Sequence, residues 1–216
     1  MYKRLSWLLF IAILVSMVLA FLVAPEERVM GAPQRLMYFH VAAAWNAFLA
    51  FGVVGLASIF YLRSHRESWD RLAYASAEIG VLFTTLTLLS GSVWGRASWG
   101  TWWEWEPQLT TTLILWFIYV GYLLIHNTTE GSGRQARYAA VWGLIGLIDI
   151  PIIYFSVTLW RGLHPSAVEL DPTMRLALGV STVSFTVLYI FLLLLSNHLL
   201  GLQRRVAELR EQLDRG

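Results

Sequence analysis

The chain has 216 residues, 57% of them hydrophobic and 14% charged, with a formal net charge of +2 and no cysteine. A soluble domain carries roughly 25% charged residues, so this composition excludes an ordinary soluble globule and indicates a polytopic membrane protein. The missing cysteines exclude a disulfide framework, a thiolate metal site and a cysteine nucleophile, and no nucleic-acid partner is expected.

Met1, Lys3 and Arg4 followed by an apolar run resemble the start of a signal peptide. The run from Trp7 to Ala24 is nevertheless long enough to span, and no small-residue cleavage site closes it, so it is read as the first transmembrane helix. Six apolar segments, 5–24, 36–62, 72–93, 109–125, 138–160 and 175–200, reach the roughly 20 helical residues that cross about 30 Å of hydrocarbon. The expected fold is an all-α polytopic membrane protein, with one six-helix transmembrane domain over residues 1–200. After Gly201, LQRRVAELREQLDR sets Leu202, Val206, Leu209 and Leu213 on one helical face. Residues 201–216 are therefore read as a cytoplasmic amphipathic tail, either an extension of the sixth helix lying along the headgroups or a segment docking on a partner subunit.

Orientation follows from the basic residues. With six spans, the two termini and segments 63–71 and 127–137 share one side, which holds Lys3, Arg4, Arg63, Arg66, Arg71, Arg134, Arg137, Arg204, Arg205, Arg210 and Arg215. The other side holds only Arg28, Arg35, Arg96, Arg161 and Arg175. The positive-inside rule then predicts that both termini are cytoplasmic and that segment 94–112 is on the outer face, with the chain in the cell inner membrane.

That outer segment, WGRASWGTWWEWEPQLTTT, carries Trp94, Trp99, Trp102, Trp103 and Trp105, five of the eleven tryptophans. So much flat apolar area fits a membrane interface, a grip on a large planar ligand, or both. His40 and His164 are expected on the same face. Neutral imidazole nitrogen suits iron and two of them complete its axial coordination, so the pair with the tryptophans suits a haem. Either histidine alone reads equally as an interfacial residue. Arg35, Arg96 and Arg161 are candidate partners for porphyrin propionates or anchors of helix ends at headgroups. Glu106, just before Pro107, is placed to compensate the positive end of the fourth helix. Glu78 and Asp149 are ionisable groups at membrane depth, where they satisfy backbone groups, hold helices together or serve function. No general acid or base is assigned, so whether the protein is an enzyme is left open.

The motifs WGTWWEWEPQLT (residues 99–110), RLMYFHVAAAW (35–45) and IDIPIIYFSVTLWRGLH (148–164) resemble the haem-handling family of cytochrome c biogenesis with its Trp-rich WWD-type motif. Within it, the chain is most similar to the haem exporter protein C branch, also called cytochrome c maturation protein C. The resemblance implies that His40 and His164 are external axial ligands of a transiently bound haem b, with Trp94, Trp99, Trp102, Trp103 and Trp105 forming its platform. It implies transfer to a periplasmic haem chaperone beside the membrane and ATP-binding subunits of an ABC-type complex and a small single-span subunit. Arg35 matches a family arginine. The chain departs from the family at Glu106, where aspartate is usual, and at Gln108, where arginine is usual. The competing readings are a subunit that transports haem across the bilayer and a membrane cytochrome of b type with two histidine ligands.

Overall fold

The computed structural model describes residues 2–27, 30–127, 133–160, 162, 164 and 170–215. Six long helices account for most of them: α1 Tyr2–Val18, α2 Arg35–Ser64, α3 Glu67–Trp99, α4 Pro107–Asn127, α5 Gly133–Leu159 and α6 Pro172–Arg215. Each belongs to a segment long and apolar enough to cross a membrane, and no β-strand occurs among the described residues. Side chains such as Leu22, Phe117, Ile148, Tyr154 and Val183 are largely exposed. Hydrocarbon around the bundle removes the cost that water would impose on them.

The helices are organised around α2, which packs on α3, α5 and α6, while α4 pairs with α5 and α1 leans on α6. Ala43, Ala47, Ala50, Val54 and Ala57 are buried along α2. Small side chains let helix backbones approach closely, the main source of helix association where lipid is as apolar as the core. At mid-bundle the rings of Phe51 and Tyr119 stack with centroids 3.7 Å apart and planes 3° from parallel. A Cβ at Gly80 would collide with the Phe51 ring, and one at Gly146 with the Tyr119 ring. The Tyr119 hydroxyl donates to the Gly143 carbonyl at 3.1 Å, which satisfies a buried polar group inside the apolar bundle.

Several boundaries differ from the hydropathy reading. α1 continues through a π-helical turn, Leu19–Val23, before the chain leaves it at Ala24. α3 runs six residues past the apolar stretch that ends at Val93, because nothing in Trp94–Trp99 breaks a helix until Gly100. Gly100 adopts φ +80°, and its N–H returns to the Arg96 carbonyl at 3.2 Å. That left-handed cap is natural for glycine and stops the helix there. At α6, by contrast, the helix continues through Gly201 as an extension of the sixth span would, and its 44 residues extend about 66 Å at 1.5 Å per residue.

Charged groups tie α3, α4 and α6 together at the end of the bundle that carries the C-terminus. Buried Asp70 takes His126 Nε2 at 3.1 Å and the Arg204 guanidinium at 3.4 Å, and Arg204 also meets Glu67 at 2.5 Å. The opposite end carries the C-terminal turns of α3, the start of α4 and the α5–α6 connection. The recess described next opens there.

Candidate functional site

Between α2, α3 and α4 lies a partly open recess, concave in the manner of small-molecule sites. Its walls are mainly apolar, and both His40 and His164 line it, together with Trp94, Trp99 and Trp103. The two histidines, more than a hundred residues apart in the chain, therefore share one cavity. Among the described residues, no lysine or arginine lines it.

Each histidine is held differently. His40 stands one turn into α2, and its Nδ1 lies 3.0 Å from Ser90 Oγ on α3. The next residue, Gly91, lets the imidazole lie against α3, because a Cβ there would sit 3.0 Å from His40 Cε1. His164 is in the α5–α6 connection, and its backbone N–H donates to Glu106 Oε2 at 3.2 Å. Gly162 leaves room for the same carboxylate, since a Cβ at that position would collide with Glu106 Oε2. Glu106 thus spans from the start of α4 to the His164 backbone, while its own carbonyl accepts the Thr110 N–H at 3.0 Å.

The tryptophans divide into two groups. Trp94 is buried, at 7% exposure, and meets Trp99 edge-on with centroids 5.1 Å apart. Its ring lies 6.5 Å from that of His164. Trp103 completes this group at the recess, whereas Trp102 and Trp105 are 58% and 74% exposed and do not line it. Ser92 Oγ donates to the Trp102 carbonyl at 2.7 Å and pins the connection to the end of α3.

Three lining residues carry buried polar atoms with no hydrogen-bond partner among the described residues: Trp94 Nε1, Trp103 Nε1 and Gln108 Oε1. An unsatisfied buried polar atom costs about 1–3 kcal/mol. A wall with three of them is suited to a ligand that is flat and apolar but carries polar groups at its edge.

A family model described as Heme exporter protein C matches residues 1–212. The chain belongs to that family. It is 40% identical over 194 residues to Heme exporter protein C of Bradyrhizobium diazoefficiens, covering 87% of this chain and 74% of that protein. It is 34% identical over 169 residues to Heme exporter protein C of Escherichia coli K12, covering 76% of this chain and 69% of the relative. A Marchantia polymorpha mitochondrial protein named for cytochrome c biosynthesis is 39% identical over 148 residues, 68% of this chain and 62% of its own length.

Other candidates from the sequence are placed elsewhere in this family member. Arg35 donates to the Phe21 carbonyl at 2.7 Å and pairs with Glu26 at 3.5 Å, outside the cavity lining. Arg96 is exposed and caps the Gly100 carbonyl, and Arg161 lies outside the described residues. Glu78 is exposed beside Ser196 Oγ at 3.4 Å. Asp149 is buried one turn of α5 from Ile153, and its Oδ2 has no partner among the described residues. Ser90 and Gly91 were not anticipated as parts of the site, and Gln108 stood out in the sequence only as a departure from the usual arginine. The Ser-Gly pair within an apolar span was the available signal for the first two.

Proposed function

We propose that the protein holds haem b transiently at the outer face of the inner membrane and delivers it to a periplasmic haem chaperone during cytochrome c biogenesis. The observation that carries this reading is the convergence of His40 and His164 on one recess walled by Trp94, Trp99 and Trp103. Haem is the cargo, and the residues present suit it. Two imidazoles serve its iron, indoles serve its flat apolar face, and the uncapped polar atoms of Trp94, Trp103 and Gln108 serve its polar edge. No lysine or arginine lines the recess among the described residues, so the propionates are best served at its mouth. Arg35 would have to leave both the Phe21 carbonyl and Glu26 to reach them.

The family's membership in haem export supports an ABC-type complex with membrane and ATP-binding subunits and a small single-span subunit as its setting. His40 comes from the first turns of α2 and His164 from a connection, so displacement of one imidazole by a chaperone ligand gives a route for release. Absorption spectra of wild type, His40→Ala and His164→Ala co-expressed with the chaperone test the reading. Loss of the bis-histidine spectrum and of chaperone loading in both variants is expected. Unchanged haem and loading would sink the ligand assignment.

A further inference from the structure

The contacts around His40 determine which of its two nitrogens is available. Ser90 Oγ has a single proton, and it lies 2.6 Å from the Leu86 carbonyl and 3.2 Å from that of Thr87. Two acceptor oxygens do not approach to 2.6 Å without a proton between them, so that proton belongs to the bond with Leu86. Toward His40 the hydroxyl can then only accept. The Nδ1 facing it at 3.0 Å must carry the hydrogen, and Nε2 keeps the lone pair. The ring also has a hydrogen bond with the Thr87 backbone, on the same turn of α3 as Ser90. The nitrogen left with its lone pair is thus carried by a ring that lines the recess.

We propose that Ser90 is the positioning residue of His40: it locks the Nδ1–H tautomer and the ring orientation, so that Nε2 is presented ready to bind iron. The proposal rests on the reading of haem as cargo and adds to it a residue outside the ligand pair. Gly91 is the second half of the device, because a Cβ there would sit 3.0 Å from His40 Cε1 and press the ring away from Ser90. An acceptor on Nδ1–H also strengthens the imidazole as a donor, which favours ferric over ferrous iron.

The test compares Ser90→Val with Ser90→Thr, an isosteric pair that differs in the hydroxyl alone, beside Ser90→Ala, Gly91→Ala, His40→Ala and wild type. The full-length protein is purified in detergent and stripped of haem. Its affinity is measured by titration with haem, and the midpoint potential of the bound haem by equilibrium redox titration. Ser90→Val and Ser90→Ala are expected to bind haem roughly 10–100-fold more weakly, the usual effect of losing such an outer partner. Their midpoint potentials should rise. Ser90→Thr should stay near wild type in both measures, and Gly91→Ala should weaken binding as the ring is pushed off. A merely structural role for Ser90 would leave the potential unmoved. Wild-type affinity and potential in Ser90→Val, alongside lost binding in His40→Ala, would overturn this proposal alone. Wild-type binding in His40→Ala would overturn the ligand reading and this inference with it.

Discussion

Glu106 shows how much can depend on one side chain. Its carboxylate accepts the His164 backbone N–H from across the recess, and the neighbouring glycine at 162 keeps the space open. A hydrogen bond to a charged group contributes about 1.5–3 kcal/mol, so Glu106→Ala should weaken haem retention roughly tenfold or more by freeing the His164 backbone. Glu106→Gln keeps an acceptor and should lose less; haem titration of the two variants checks the order. The indoles give a second prediction at this scale. Trp99→Ala and Trp103→Ala remove walls of the recess and should lower haem affinity. Trp102→Ala and Trp105→Ala, at positions exposed to the surroundings, should leave it within about twofold, as expected of surface positions worth under 0.5 kcal/mol. Which indoles belong to which group was not legible in the sequence, because WWEW lies beyond Gly100, where α3 ends, and no helical rotation sorts it. Arg35 teaches the converse. Five residues before His40 looks close on paper, but five helical steps turn through about 500°, which sends the guanidinium to a different face.

At the scale of elements, α3 is the rod that joins two separate tasks. Its first turns hold Asp70 among His126 and Arg204, and some 20 residues later, about 30 Å along the axis, it presents Ser90 and Gly91 to His40. Breaking a buried ion pair by removing one partner costs about 3–5 kcal/mol, and the half-exposed Arg204 places this one at the lower end. Asp70→Ala should therefore lower the thermal unfolding temperature in detergent while leaving the haem affinity of the folded fraction unchanged. Coupled losses would mean that the two ends are not independent. Existence of the six helices was readable from apolar runs because hydrocarbon imposes length and composition together. Helix ends were not, because they are set by caps such as Gly100 and by residues like Trp94–Trp99 that are compatible with helix and with interface alike. Ser90 was hidden for a related reason. A serine within a span is ordinary helix composition, and only the packing of α2 on α3 brings it to a histidine fifty residues away.

For the whole molecule, one orientation makes the proposed hand-off possible: the recess must open to the side where the chaperone works. The basic residues predict that side, with eleven of the sixteen lysines and arginines at the end bearing both termini. The geometry is compatible with this, since α6 extends about 66 Å against a hydrocarbon core of roughly 30 Å and carries Arg204, Arg205, Arg210 and Arg215 beyond the apolar stretch. The absence of native cysteine makes the test direct, because any cysteine introduced is the only thiol to label. Glu104→Cys, in the exposed connection between α3 and α4, should react with a membrane-impermeant maleimide on intact spheroplasts. Glu211→Cys, in the projecting part of α6, should react only after lysis. The reverse pattern would turn the recess toward the cytoplasm, where no periplasmic chaperone could reach it, and delivery at the outer face would have to be abandoned even if His40 and His164 still bound haem.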